Sequence, residues 1–305
     1  MTTPTVTPVF DPVRPAAASL PAAGAMPATA ALPPLPISAV IITFNAAAHI
    51  DKVLRSLAMC DERLVLDSGS TDRTVDIARA AGARVEHQPF LGYGLQKRRA
   101  VVLATHDWIL SLDADEILDA EAQTACRHLD LANPSHCWSI WRRTFVGQRE
   151  IRHGAWRGER VLRLFNRRTA GFKAFAVHES VESQHAPRLL NGSILHFGFT
   201  DCRDVLARSL RYAPLKAGIM RSNGQMARVW MLPLRGLAAF LKSYVLRSGW
   251  RDGAAGYVIA IGRVIDSVLP RAMLIMGDAD IAAPAPVSAA TPDVLPASID
   301  TAPVK

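Results

Sequence analysis

The sequence predicts an α/β fold with a mostly parallel, doubly wound sheet, followed by C-terminal amphipathic helices. Short apolar runs rich in β-branched residues alternate with helix-like segments through residues 37–112. Strands joined by helical crossovers form a parallel sheet, because a tight turn cannot reach a parallel neighbour. Acidic side chains follow where one of these runs ends, and in open α/β sheets the ligand crevice lies at that end of the strands.

The individual elements follow from apolar runs and from the turn residues between them. The predicted strands are 37–43, 63–66, 83–86 and 108–112, and the predicted helices between them are about 47–58, 72–81 and 96–105. Gly82 is a suitable residue to end the second of these helices, since glycine tolerates a left-handed conformation there. Further along the chain, residues 137–145 and 161–166 also have the character of strands.

The two ends of the chain differ from its middle. Residues 1–36 and 278–305 are rich in Pro, Ala and Thr and lack periodicity, so we expect two disordered tails. We expect an α/β domain over residues 37–200 and a helical region over residues 201–277. Residues 1–36 lack the basic start and unbroken apolar run of a signal peptide.

Three acids follow the apolar run 108–112. Asp113 and Asp115 alternate along an extended backbone, so both can approach one cation from the same side, and Glu116 comes next. Oxygen ligands of this kind suit Mg²⁺ or Mn²⁺, with a diphosphate supplying further oxygens. The alternative is that these acids only cap a following helix.

The turn after the second strand is also polar. Asp67 ends that strand and is followed by Ser68, Ser70 and Asp72. An acid at a strand end beside small hydroxyl residues can bind the polar edge of a nucleotide. Taken singly, each of these residues favours a turn or helix-cap role, whereas their combination ahead of Asp113 and Asp115 favours a nucleotide site.

Four segments in this order resemble a family 2 glycosyltransferase with the GT-A fold. They are AVIITFN (39–45), LVLDSGSTDRT (64–74), GLQKRRA (94–100) and DWILSLDADE (107–116). Later segments resemble the lipopolysaccharide core β-1,4-glucosyltransferase group within that family. These are HGAW (153–156), VLRLFNR (161–167), AVHE (176–179), ILHF (194–197) and SGWRDG (248–253).

The resemblance implies an inverting, metal-dependent enzyme. Its donor would be a nucleotide sugar, UDP-glucose by that resemblance, and its acceptor a glycan or lipid-linked glycan of the lipopolysaccharide inner core. Mn²⁺ or Mg²⁺ would stabilise the leaving diphosphate. The implied site residues are Thr43, Asn45 and Asp67 in the uridine pocket, Asp72 and Lys97 near the nucleotide and its phosphates, and Asp113 and Asp115 as metal ligands.

Inversion needs a base that accepts the proton of the acceptor hydroxyl. Glu179, beside His178, is the first candidate and Glu159 the second. A cap or a salt bridge is the alternative role for Glu179. His178 and His196 are each either site residues or structural histidines.

Residues 201–276 carry twelve basic and four acidic residues, an excess equal to the net charge of +8 of the whole chain. An anionic partner is therefore expected. We predict no nucleic-acid partner, because no such motif is present and the arginines interleave with apolar helix faces. A non-catalytic GT-A scaffold at a membrane is the alternative function, and the intact Asp113 and Asp115 argue against it.

Residues 230–245 and 257–276 have apolar residues at helical spacing, with basic residues beside them. Neither segment has the roughly 18 uncharged apolar residues expected of a membrane span. We therefore expect a cytoplasmic protein bound peripherally to the anionic inner face of the plasma membrane. A helical lid on the α/β domain is the alternative, and both can hold. The four scattered cysteines predict reduced thiols.

Overall fold

The structure is a computed structural model that describes residues 33–172 and 180–278. Its strands are β1 (Leu35–Thr43), β2 (Cys60–Asp67), β3 (Arg84–His87), β4 (Trp108–Asp113), β5 (Glu116–Leu118), β6 (Cys137–Val146), β7 (Arg149–Ile151), β8 (Glu159–Asn166), β9 (Ala170–Phe172), β10 (Val181–Ser183) and β11 (Arg188–Phe199). Its helices are α1 (Ile50–Ser56), α2 (Thr74–Ala80), α3 (Tyr93–Leu103), α4 (Ala120–Cys126), α5 (Cys202–Ser222), α6 (Met231–Phe240) and α7 (Gly253–Met276). The predicted tails lie outside the described residues except at their inner margins, where β1 begins at Leu35.

Four parallel strands form the half of the sheet that carries the predicted site. Their order is β3-β2-β1-β4, and α1, α2 and α3 connect them along the chain. Thr43 lies opposite Asp67, and Ile42 lies opposite Asp113. The three central strands therefore end at one edge. The predicted α/β fold with a parallel sheet and C-terminal helices is confirmed.

The sheet continues with strands of mixed direction. β8 runs antiparallel to both β4 and β6, and β6 runs parallel to β11. The short β5 runs antiparallel to β11, with Glu116 opposite His196. Neither β5 nor β11 was among the predicted strands. β5 has only three residues, too few for a readable periodicity. Their pairing brings β11 beside the acids that follow β4.

Apolar side chains of the parallel strands fill a core on each face of the sheet. Ile41 and Leu110 belong to one core, and Val40 and Ile109 to the other. Each of these four side chains is at most 1% exposed. Burial on both faces explains why these strands are continuous apolar runs in the sequence.

The C-terminal helices pack on one another and on the β6–β7 hairpin. Val205 of α5 and Ile259 of α7 share an apolar cluster with Val146 and Ile151 of the hairpin. A π-helical turn, Leu241–Leu246, follows α6. Within residues 33–172 and 180–278, none of the helices is long and apolar enough to cross a bilayer.

Candidate active site

The acids after β4 occupy a sharp corner. β4 ends at Asp113, two residues form a turn, and β5 begins at Glu116. The buried Glu116 carboxylate accepts a hydrogen bond from the Asp113 backbone N–H at 3.1 Å. This bond closes the turn. Asp113 is the last residue of β4 and Asp115 lies in the turn, so the two carboxylates have different surroundings.

Asp113 lies between two cations. Its Oδ1 is 2.6 Å from Lys97 Nζ, and its Oδ2 accepts a hydrogen bond from Arg163 Nη2 at 2.9 Å. Burial by itself would raise the pKa of Asp113, but the charges of Lys97 and Arg163 outweigh it and hold the pKa well below its ordinary value. Asp113 is therefore ionised, with both oxygens engaged by the chain itself.

Two arginines neutralise the charge of the buried Glu116 carboxylate. Its Oε1 lies 2.6 Å from Arg163 Nη2 and 3.3 Å from Arg142 Nη1. Glu116 is fully buried, and Arg163 is 6% exposed. Buried charges persist only with close partners, so Arg163 serves both Asp113 and Glu116. Arg163 thus joins Asp113 and Glu116 in one ion-pair network under the strand edge.

Asp115 faces a histidine that arrives from β11. Its Oδ2 is 3.6 Å from Nε2 of His196. The other ring nitrogen of His196 is buried and has no hydrogen-bond partner among the described residues. A Cβ on Gly198 would come within 2.5 Å of His196 Nε2, so this glycine leaves space for the ring. Asp115 and His196 together offer one oxygen and one nitrogen donor at the corner.

The turn after β2 is held by Asp67. Its Oδ1 accepts hydrogen bonds from the Thr43 and Ser70 hydroxyls at 3.0 and 2.5 Å. Its Oδ2 accepts from the backbone N–H groups of Gly69 and Ser70 at 2.9 and 2.8 Å. Burial opposes ionisation, but these bonds outweigh it and lower the pKa of Asp67. A carboxylate has about four acceptor positions, and here the chain fills them.

Asn45 and Asp72 join this turn to the loop after β1. Asn45 has a left-handed backbone (φ 52°), a conformation that asparagine adopts more readily than most residues. Its Oδ1 accepts from the Thr71 N–H at 2.9 Å, and Asp72 Oδ2 accepts from the Ala47 N–H at 3.2 Å. The predicted uridine residues thus lie in one cluster that braces two loops. Direct contacts with a nucleotide stay a prediction.

A cavity of about 520 Å³ opens beside Lys97 and Asp113. Lys97 is 3% exposed and lies 5.7 Å from the centre of the Phe172 ring. Glu159 also lines the cavity, and its carboxylate is ion-paired with Arg142. Glu179 and His178 lie outside the described residues, so the first candidate for the base stays a prediction.

Arg163 was not among the residues singled out from the sequence, and His196 was left open as either a site residue or a structural histidine. Each carried a signal in the sequence. Arg163 is a cation inside an apolar strand, which demands a buried partner. His196 follows an apolar pair in ILHF and precedes Gly198. Their partners were not visible because the pairing of β8 and β11 with the acid corner is a tertiary feature.

The fold and the corner define an α/β protein with a strand edge suited to a cation and a phosphorylated ligand, and comparison with known proteins specifies its class. Residues 38–183 match the sequence model of the family described as Glycosyl transferase family 2. The chain therefore contains a family 2 glycosyltransferase domain, which covers a little under half of its length.

Relatives cover most of the chain. A lipopolysaccharide core biosynthesis glycosyltransferase, LpsC, of Rhizobium meliloti is 29% identical over 248 residues, which are 79% of this chain and 92% of that protein. An uncharacterized glycosyltransferase of Rickettsia prowazekii is 28% identical over 239 residues, covering 74% of this chain and 82% of that protein.

Among solved structures, glucosyl-3-phosphoglycerate synthase from Mycobacterium tuberculosis is similar to part of the chain. Its complex with Mn²⁺, uridine diphosphate and glucosyl-3-phosphoglycerate matches at 27% identity and a TM-score of 0.29. The match covers 37% of this chain and 44% of that one, less than half of its length.

Proposed function

We propose that this glycosyltransferase is an inverting enzyme that transfers a hexose from a nucleotide sugar, UDP-glucose, to a glycan or lipid-linked acceptor of the lipopolysaccharide inner core. The observation that carries the proposal is the corner itself, with Asp115 3.6 Å from His196 and Lys97 2.6 Å from Asp113 at one strand edge. The acceptor class is supported by the similarity to LpsC along nearly all of that relative.

The oxygen and nitrogen atoms available as metal ligands at the corner suit a divalent cation. Asp113 and Asp115 were both predicted as ligands, but the two oxygens of Asp113 already serve Lys97 and Arg163. We therefore assign Asp115 and His196 as ligands and Asp113 as the residue that positions Lys97. A nitrogen donor beside a carboxylate favours Mn²⁺ over Mg²⁺, which binds almost wholly through oxygens.

When bound, the cation supplies Lewis-acid stabilisation of the charge that develops on the leaving nucleoside diphosphate. No group of three or more His, Cys, Asp or Glu side chains in the described part of the chain forms a metal site on its own. Oxygens of the donor diphosphate would complete the coordination. Lys97, already fixed against Asp113, is close enough to the corner to bind the same phosphates.

The loops after β1 and β2 would bind the nucleotide. Thr43 and Asp67 hold the turn after β2, and Asn45 and Asp72 lock it to the loop after β1. In this proposal the rigid pair of loops forms the uridine pocket. A pocket whose side chains are fixed before the ligand arrives loses less conformational entropy on binding.

The acceptor hydroxyl must lose a proton as it attacks the anomeric carbon. Glu179 is the first candidate for the base. Glu159 is the second: it lines the cavity beside Lys97, and its carboxylate already serves Arg142. The occupied carboxylate keeps Glu159 in second place.

The direct test is a panel of UDP-sugars offered to the full-length protein. UDP-glucose should be consumed with Mn²⁺, more slowly without an acceptor and faster with a lipopolysaccharide core acceptor. Chelation by EDTA should stop the reaction, and added Mn²⁺ should restore it. If no nucleotide sugar is consumed and none raises the melting temperature, the proposed function is wrong.

We also propose that the protein binds peripherally to an anionic membrane surface through α6 and the following turn, on the cytoplasmic side. Trp230, Leu234, Leu237, Leu241 and Val245 recur at helical spacing and are between 42% and 61% exposed. A row of exposed apolar side chains along one helix is unusual for a surface in water and suits the headgroup region of a bilayer.

Cations flank this apolar row. Arg235, Lys242 and Arg247 are exposed, and none of them forms a salt bridge with another described residue. Each basic residue near an anionic leaflet contributes on the order of 1 kcal/mol, so the three together favour an anionic bilayer over a neutral one. Charge complementarity therefore selects the bilayer as the occupant of this surface.

A further inference from the structure

A second cavity, of about 420 Å³, lies in the helical region and apart from the acid corner. Side chains from α5, α7 and the π-helical turn line it, together with Ala155 of the α/β part. The backbone N–H of Gly154 donates to the carbonyl of Arg247 at 2.9 Å and ties the cavity wall to the α/β part. Its charged lining consists of Lys216, Lys242, Arg247, Arg263, Arg271 and a single acid, Asp266.

The charges of this cavity are not balanced. Asp266 is already shared by Lys216 and Arg263, at 2.5 and 3.1 Å. Lys242, Arg247 and Arg271 form no salt bridge within residues 33–172 and 180–278. Burial lowers the pKa of Arg271, and the nearby Arg235 lowers it further. Three of the five cations in the wall are therefore without an acidic partner among the described residues.

A hydroxyl in the same wall also lacks a partner. Ser243 is 2% exposed and lines the cavity, and its Oγ has no hydrogen-bond partner among the described residues. A buried hydroxyl without a partner costs free energy, and such groups are rare. Ser243 stands in the π-helical turn, a local distortion that often marks functional sites.

We propose that this cavity binds a phosphate group, and that the phosphate belongs to the headgroup of an anionic lipid. Guanidinium groups, an ammonium group and a hydroxyl are the donors that phosphate oxygens accept from most strongly. A volume of about 420 Å³ falls within the range of small-ligand pockets. Anion binding would neutralise the unpaired cations and give Ser243 an acceptor.

The lipid source follows from the neighbouring surface. Lys242 follows Leu241, and Arg247 follows Leu246, which is 78% exposed. Acyl chains would therefore lie along the apolar row of α6 while the phosphate enters the cavity. The choice of a lipid rests on the proposed membrane contact, whereas the phosphate site stands without it and without the transfer reaction.

The experiment measures binding to the full-length protein by calorimetry. The probes are inorganic phosphate, a short-chain phosphatidylglycerol kept below its micelle concentration, and the uncharged amphiphile octyl glucoside. We expect saturable binding of both phosphate probes, tighter for the phospholipid, and none of the uncharged probe. Equal affinity for the two phosphate probes would overturn the lipid assignment, and absence of saturable phosphate binding would overturn the site.

Matched variants test the location. Arg247→Gln and Arg271→Gln should each weaken phosphate binding about tenfold, the loss expected for one charge-assisted contact. Ser243→Ala should weaken it several-fold and, being a small change, keeps the test valid if an arginine variant fails to fold. Arg251→Gln removes an equal charge from an exposed position outside the cavity and should change nothing.

An equal loss in the Arg251 control would reduce the effect to general charge and overturn the cavity as the site. Monomeric phospholipid separates this result from vesicle binding, so failure of the membrane proposal would not hide it. Turnover of UDP-glucose, measured on the same samples, reports on the proposed transferase function independently.

Discussion

The acid corner and the cationic cavity are two highly charged regions of the molecule, and they are built in opposite ways. At the corner, the chain supplies Lys97 and Arg163 to the ionised Asp113. In the cavity, five cations and a single acid, Asp266, line the wall, and Asp266 pairs with two of the five. The charges of the corner are therefore paired within the chain, whereas the lining of the cavity has an excess of positive charge.

The difference between these two regions separates structural from ligand-binding charges. The two partners of a buried ion pair fix each other's position. Removing one partner leaves the other charge buried without compensation, which destabilises the fold. Removing an unpaired cation from a half-exposed wall costs the fold little stability, because water already solvates that cation. The first kind of charge should govern stability and the second should govern binding.

The largest expected effect is the loss of Arg163. In Arg163→Met, Asp113 and Glu116 lose a buried partner, so the free energy of unfolding should fall by about 3–5 kcal/mol. Urea unfolding measures it.

Two controls sharpen that comparison. Arg160→Met, an exposed position on the same strand, and Arg247→Met in the cavity should each change stability by no more than about 0.5 kcal/mol. If Arg247→Met is as damaging as Arg163→Met, the distinction between the two regions fails.

The second effect concerns the base. Glu179→Gln should lower kcat at least about 10²-fold, since a positioned acid-base group contributes 10²–10⁴. The dissociation constant of UDP-glucose should stay nearly unchanged, because the base faces the acceptor. Steady-state kinetics and equilibrium binding together measure this. If Glu159→Gln behaves so and Glu179→Gln does not, the base is Glu159.

The third effect concerns the apolar row beside the cavity. Leu234→Gln with Leu237→Gln should weaken binding to phosphatidylglycerol vesicles about tenfold or more, because each buried leucine is worth about 1.5–3 kcal/mol. Binding of the wild type should also weaken as salt rises. Co-sedimentation with vesicles measures both.

The control for the vesicle experiment is Leu189→Gln on β11, which removes a side chain of similar exposure, 53%, from outside the helical region. Unchanged vesicle binding in the double variant, or failure of the wild type to bind anionic vesicles, would remove the membrane contact and leave α6 as part of a packed helical layer.

The smallest expected effect is a pH dependence of stability that comes from Glu150 and Arg143. This ion pair is partly buried and so lies between the two kinds of charge compared above. Hydrogen bonds from Arg143, at 2.8 Å to each oxygen, lower the pKa of Glu150 from 4.5 to about 2. The folded pKa is below the unfolded one, so the pair stabilises the fold above pH 4.5 and loses that contribution as pH falls towards 2. Solvent near the pair limits it to about 1 kcal/mol.

Acid titration of unfolding compares Glu150→Gln with the wild type. The variant should be less stable at neutral pH and should lose less on acidification. Glu121→Gln, an exposed acid in α4, is the control. A variant that loses as much stability with acid as the wild type would contradict the assignment.

The parallel half of the sheet was predictable because burial on both faces leaves a clear trace in sequence. Runs such as 37–43 and 108–112 are apolar throughout, and acids begin where the second run ends. Local sequence also carries turn chemistry, so Asp67 and Asp72 were identified as a polar turn. The contacts of that turn could not be predicted, because Asn45 and Ala47 reach it only when β1 and β2 pair in the sheet.

The partners of the acids depend on tertiary pairing, which one sequence does not encode locally. β5 is too short for a periodic pattern, and its pairing with β11 is what brings His196 to Asp115. The exposed row on α6 was predictable in outline, since helical spacing fixes which residues share a face. The cavity was not, because it needs α5, α7 and the π-helical turn together.

The central claim is that the acid corner binds a divalent cation together with a nucleoside diphosphate. Calorimetric titration of Mn²⁺ into the protein, with and without UDP, tests it most directly. The wild type should bind Mn²⁺ more tightly when UDP is present, and Asp115→Asn and His196→Ala should each weaken that binding at least about tenfold, while Asp76→Asn, an exposed acid on α2, should not. Wild-type affinity for Mn²⁺ and UDP in the Asp115 variant would contradict the account.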